Sequence, residues 1–273
     1  MSYITTRDNN KLYTKDWGKG RPVILLHGWP LSADSWDEAA MAIADAGMRA
    51  IAYDRRGFGR SDQPWDGYDY DTLADDLAAV IESTGANDAA IVGFSMGGGE
   101  VARYLSRHQG KGVAQAALIS SVVPYMLKTQ DNPNGVDQSI FKQMTEGMKE
   151  DRAHFFAGFF KDFFGAGMLS SPVSSEVLEW ARNVAMQANF KATLACANAF
   201  ATTDFRPDLA AFRVPTLIIH GTADKTVPID ATGRVAAKAI PNAKLIEYDG
   251  APHGLFVTHK KQLTNDLLGF LRR

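Results

Sequence analysis

The stretch Ala89-Ala90-Ile91-Val92-Gly93-Phe94-Ser95-Met96-Gly97-Gly98-Gly99-Glu100 decides how the rest of this chain is read. Four apolar residues, two of them β-branched, read as a short buried strand, and the residues after Gly97 are compatible with a helix. Gly93-Phe94-Ser95-Met96-Gly97 therefore has the form G-x-S-x-G at a strand-to-helix turn. A serine at the tip of such a turn sits in strained backbone with its hydroxyl exposed above the sheet, and the flanking glycines remove Cβ atoms that would collide there. The helix that starts near Met96 would aim its unpaired N–H groups at the same point, which suits a developing oxyanion. Ser95 is thus a candidate nucleophile, which requires a histidine and an acid further along the chain.

Working outward, the N-terminal side reads as alternating strands and helices. Ser2–Thr6 and Lys11–Trp17 are predicted to form an antiparallel edge joined by Asp8-Asn9-Asn10. Pro22–Leu26 is a continuous apolar run that delivers the loop His27-Gly28-Trp29-Pro30 to its carboxyl end. A helix is expected from Ser35 to Gly47, a strand from Met48 to Tyr53, and a second helix capped by Thr72 and ending near Gly85. Between them, Asp54-Arg55-Arg56-Gly57-Phe58-Gly59-Arg60-Ser61 has neither G-x-G-x-x-G nor the P-loop lysine, so it reads as a structural turn rather than a phosphate cradle. After the Ser95 helix a strand follows at Ala116–Ser121. This order argues a doubly wound, mostly parallel α/β sheet.

The alternation breaks from Pro124 to about Phe212. Within that span Phe155, Phe159 and Phe163 fall at i, i+4, i+8, and Phe156, Phe160 and Phe164 form an adjacent stripe. So broad an aromatic surface needs cover on two sides, with one stripe packed down and the other lining an apolar pocket over Ser95. The expected organisation is a core of residues 1–123 and 213–273 with an inserted helical cap, 124–212. The pocket is expected to draw on Trp29, Pro30, Val122 and Val227 from the core and on Phe141, Phe159, Phe163 and Phe200 from the cap. The strand pattern resumes at Val214–His220, followed by a helix near Ile229–Ile240, a strand Lys244–Tyr248 and a C-terminal helix.

A serine hydroxyl needs a base to take its proton, and the base needs a third group to fix its tautomer. Asp224 and His253 lie in loops after late strands, and in a parallel sheet both loops open on the edge where Ser95 stands. His108, His154, His220 and His259 fall on helices, in the cap or on a strand, and read as structural or solvated. Asp249 is the rival acid, but it stands only four residues before His253 and reads as part of that loop. Two N–H groups must converge on the oxyanion; Met96 supplies one, and the loop after Leu26, at Trp29, the other.

Composition narrows the function further. The 273 residues carry a net charge of −2 and 45% apolar residues, which gives no basic excess for nucleic acid. Cys196 is the only cysteine, so no internal disulfide and no thiolate cluster can form, which fits a cytoplasmic setting. No H-E-x-x-H or similar set appears, so no metal is expected. The N-terminal residues lack a signal-peptide pattern, and no apolar run is long enough to span a membrane.

Taken together, His27-Gly28-Trp29-Pro30, Asp54–Ser61, Gly93–Gly99, Gly221-Thr222-Ala223-Asp224 and Pro252-His253-Gly254 resemble the α/β-hydrolase-fold arylesterases and the cofactor-free bacterial haloperoxidases. The resemblance implies a serine esterase triad, an oxyanion hole from the backbone of Trp29 and Met96, and activity on small esters without a cofactor. It also implies perhydrolysis, in which hydrogen peroxide captures the acyl-enzyme to give a peracid that oxidises halide; Pro30 is typical of the haloperoxidase-like members. Homo-oligomers are common in that family. Two other readings stay open: the same machinery acting on a lactone, an amide or a carbon–carbon bond, and a receptor that keeps the triad but binds a small apolar ligand without turnover. Relatives that use an aspartate nucleophile, the epoxide hydrolases and haloalkane dehalogenases, are disfavoured by Ser95.

Overall fold

The computed structural model describes residues 2–167 and 171–273. An eight-stranded sheet runs through the molecule in the order β1-β2-β4-β3-β5-β6-β7-β8. β1 (Ser2–Thr5) and β2 (Lys11–Gly18) are antiparallel, and β3 (Pro22–Leu26), β4 (Arg49–Tyr53), β5 (Ala89–Phe94), β6 (Val113–Ile119), β7 (Thr216–Gly221) and β8 (Ala243–Tyr248) are mutually parallel. Every residue of β3, β5 and β7 is buried, which is why these strands read as unbroken apolar runs rather than alternating ones. The chain lays β4 on one side of β3 and then returns to place β5 on the other. That reversal opens a crevice at the carboxyl ends of β3 and β5, where both the Trp29 loop and Ser95 emerge.

Helices cover both faces: α1 (Asp37–Asp45), α2 (Tyr70–Ser83), α3 (Met96–Arg107), then α4 (Gln138–Phe164), α5 (Ser175–Met186) and α6 (Phe190–Thr202) between β6 and β7, and finally α7 (Gly233–Ala239), α8 (Leu255–Thr258) and α9 (Lys260–Leu271). Several boundaries differ from expectation because polar side chains closer to the turn win the capping position. Ser32, not Ser35, accepts from Asp34 N–H and opens a short 3₁₀ turn ahead of α1. Asp69 caps α2 by accepting from Thr72 N–H, so Thr72 lies inside the first turn. β6 begins at Val113, ahead of the expected Ala116, and α7 starts only at Gly233, because turns occupy Ile229–Thr232.

α4 is two helical pieces meeting at Asp151, whose backbone (φ −152°, ψ 92°) leaves the helical region. Its carboxylate accepts from His154 N–H at 2.9 Å and caps the second piece. The break turns α4 so that both pieces face the crevice.

Candidate active site

Ser95 holds φ 53° and ψ −118°, a left-handed conformation that a residue with a Cβ adopts only when its surroundings impose it. Here β6 imposes it. Ser95 N–H donates to Ile119 O at 2.8 Å, and Ser95 O accepts from Gly98 N–H at 3.0 Å and Val122 N–H at 3.3 Å. The glycines are needed for approach: a Cβ on Gly93 would lie 2.4 Å from Gly97 O, and one on Gly97 would lie 2.6 Å from Leu26 O. Gly93 thus faces the backbone of Gly97 across the turn, and Gly97 faces the end of β3.

Ser95 Oγ lies 2.9 Å from His253 Nε2, and His253 Nδ1 lies 2.7 Å from Asp224 Oδ2. All three are buried. Since a hydroxyl can donate to Nε2 while a carboxylate can only accept from Nδ1–H, this line assigns the tautomer that leaves His253 ready to take the serine proton. The second carboxylate oxygen accepts from Thr226 and Val227 N–H at 2.9 and 2.8 Å. Burial opposes the charge on Asp224, but electrostatic attraction to the His253 imidazole and hydrogen bonds from His220 and His253 outweigh it and hold this carboxyl below the usual range. His253 is kept in plane by Phe94, 5.0 Å away between ring centres, and by the edge of Phe163 at 4.8 Å.

Among the described residues, neither Trp29 N–H nor Met96 N–H donates a hydrogen bond to another protein group. Met96 is the first residue of α3, and the Trp29 loop runs against the turn so closely that a Cβ on Gly28 would sit 3.1 Å from Ser95 Cβ. Two free donors beside one serine are what an oxyanion hole requires.

A cavity of about 450 Å³ opens over Ser95. Of the residues expected to line it, Trp29, Val122, Phe141, Phe159, Phe200 and Val227 do so. Pro30 and Phe163 do not. Pro30 is buried behind Trp29, whose indole donates to Thr193 O at 3.0 Å and forms that wall itself. Phe163 is wedged between Phe94, His253 and Phe256. The reason is helical drift: residues four apart are rotated by about 40°, so a stripe that begins at the cavity with Phe155 and Phe159 has turned into the core by Phe163. The stripe Phe156, Phe160, Phe164 is fully buried.

The sequence reading missed other lining residues: Val136, Ile140 and Met144 before the break in α4, His154, Phe155, Gly158 and Asp162 after it, and Lys225 and Thr226 beside Asp224. His154, expected to be structural or solvated, is exposed at the rim of the cavity. Ile140 and Met144 on the first piece of α4, and His154, Gly158 and Asp162 on the second, recur every four residues, a signal that could not be phased without knowing where the break falls. His220 was also underestimated: its Nε2 lies 2.9 Å from Val227 O and 3.3 Å from Asp224 Oδ2. Asp249 is bonded to Thr222 and stays clear of the histidine. In the arginine-rich turn, Arg55 pairs with Glu100, Arg56 with Asp76 and Asp8, and Arg60 with Asp54, so its cations are engaged within the protein. No helix among the described residues is long and apolar enough to cross a membrane.

Residues 21–260 match the α/β hydrolase fold family. The chain is 42% identical to a non-heme chloroperoxidase of Kitasatospora aureofaciens and 43% identical to a bifunctional esterase/perhydrolase of Acinetobacter calcoaceticus, in each case over the whole of both chains. The crystal structure of a bromoperoxidase from Bacillus anthracis superimposes with a TM-score of 0.96 at 43% identity, again covering both chains completely. With the sheet order, the serine turn and these full-length likenesses, the chain belongs to the α/β-hydrolase family, in its branch of non-heme haloperoxidases and esterase/perhydrolases.

Proposed function

We propose that this protein hydrolyses small carboxylic esters through an acyl-enzyme on Ser95 and passes the acyl group to water or hydrogen peroxide. The observation that carries the reading is the hydrogen-bonded line Ser95–His253–Asp224 beside two unengaged N–H groups, under an aromatic-walled cavity. As Ser95 Oγ attacks the ester carbonyl, His253 Nε2 takes its proton and then gives it to the leaving alkoxide. Asp224 holds the imidazole and balances its transient charge. The carbonyl oxygen, now an anion, is received by Trp29 and Met96 N–H. In the second half, His253 takes a proton from water or peroxide, whose oxygen attacks the acyl carbonyl and releases Ser95 with an acid or a peracid.

Peroxide as acceptor is favoured by relatives of about 42% identity that are named for chloroperoxidase and perhydrolase activity. A peracid leaving the site would oxidise halide in solution, with the peracid reduced to the acid. Self-association and a cytoplasmic setting belong to the same proposal; a single species at 29.7 kDa in sedimentation would refute the first.

The test is hydrolysis of 4-nitrophenyl acetate by the native protein and by Ser95→Ala. Loss of at least about 10⁴-fold in kcat supports the mechanism. Equal turnover by the two proteins rejects Ser95 as nucleophile, and tight binding of an apolar ligand with no turnover in either points to the receptor reading.

A further inference from the structure

Under the serine turn, Arg55 and Glu100 form an ion pair with side-chain exposure of 1% each. Stability does not require such a pair, since apolar side chains of similar volume commonly stabilise a core as well or better. Its geometry is more telling. Arg55 Nε donates to Glu100 Oε1 at 2.7 Å, and Nη2 donates both to that oxygen and to His27 O, the latter at 2.6 Å. Tyr53 Oη donates to the other oxygen, Glu100 Oε2, at 3.0 Å. Arg55 N–H donates to His27 Nε2 at 3.0 Å, which leaves His27 Nδ1–H to donate to Gly28 O at 2.9 Å.

The peptide at the end of this relay is the one that carries Trp29 N–H. In a trans peptide the N–H points opposite the C=O, so holding Gly28 O from His27 and from Leu31 N–H at 3.0 Å aims Trp29 N–H. The other end of the relay is Glu100, one helical turn beyond Met96 on α3 and rigid with its N–H. Burial and the Arg55 charge hold His27 neutral, with its pKa well below the usual histidine value, so the relay keeps its polarity.

We propose that Arg55 and Glu100 are positioning residues whose buried ion pair, acting through His27, sets the spacing and direction of the Trp29 and Met96 N–H donors. This rests on the assignment of those two donors to the oxyanion. Arg55, in the loop after β4, thereby ties the β3 loop, through His27, to α3, through Glu100. Losing one oxyanion donor outright costs about 10²- to 10³-fold in kcat, and a donor loosened rather than lost is expected to cost about 10- to 100-fold.

Three variants test it: the double replacement Arg55→Met with Glu100→Leu, which leaves no buried charge; Arg55→Lys, which keeps the charge but not the fork; and Tyr53→Phe, which deletes one hydroxyl. Each is measured for melting temperature, for kcat/KM on 4-nitrophenyl acetate, and for inhibition by a trifluoromethyl ketone, whose hemiketal oxyanion needs both donors, and by benzyl alcohol, which needs only the pocket. The expected result is a graded loss of kcat/KM, about 2- to 5-fold in Tyr53→Phe and about 10- to 100-fold in the others. The ketone Ki should rise in proportion while the alcohol Ki stays unchanged.

Folded variants that keep kcat/KM and the ketone Ki within about twofold of native overturn the proposal, as does a parallel rise in both inhibition constants, which would mark a general distortion. If the double variant does not fold, Tyr53→Phe and Arg55→Lys decide by the same criteria. An active Ser95→Ala would instead remove the underlying mechanism, an outcome these inhibition ratios do not mimic.

Discussion

Asp224 receives His253 and His220 on one carboxylate oxygen and two backbone N–H groups on the other, so its charge is held from every side. Asp224→Asn keeps the shape but can present its amide NH₂ to His253 and favour the wrong tautomer, and kcat should fall about 10³- to 10⁴-fold. The pH dependence of stability follows from the depressed pKa of this carboxyl. Such a group contributes stability above its unfolded value near 3.9 and loses it as pH falls through the lower folded value. The melting-temperature advantage of the native protein over Asp224→Asn should therefore be level between about pH 5 and 8 and shrink below about pH 4. A loss of turnover near pH 6 must come from another group. At this scale Ser95, Asp224 and His253 were readable because their chemistry and loop positions are both specified locally. His27 and Glu100 were not singled out, because a buried partner is a property of two distant segments and leaves no spacing in either one.

The serine turn is as strict as its pattern suggests, and the strictness is steric. Gly93→Ala would place a methyl 2.4 Å from Gly97 O, while Gly269 in α9 has nothing within 4 Å of the corresponding position. The first replacement should cost more than about 3 kcal/mol and lower Tm by about 6–12 °C. The second should stabilise by about 0.5–1 kcal/mol, because alanine loses less backbone entropy in a helix. Paired melting curves check both. The strands were legible as apolar runs, and α3 as the segment after a glycine turn. The phase of α4 was not: Phe155, Phe159 and Phe163 read as one stripe, but the rotation of about 40° at each step of four carries Phe163 away from the cavity and against His253.

Across the whole molecule, the proposed catalytic groups come from the carboxyl ends of four strands of one sheet. Ser95 follows β5, Asp224 follows β7, His253 follows β8, and the Trp29 donor follows β3. The sheet order brings them to one edge, and the alternation of strands and helices was enough to foresee that edge from the sequence. What it could not convey is how far apart in the chain the partners are. Ser95 and His253 are separated by 158 positions, and the ring of His253 is held by Phe163 from the segment between β6 and β7. None of these contacts is local, and contacts of large sequence separation form late because loop closure must come first. Turnover is consequently a clock. When the denatured protein is diluted into buffer, tryptophan fluorescence should recover first as the sheet collapses, and hydrolysis should return only with the slowest phase, so a substrate present throughout would time the moment the last strand takes its place.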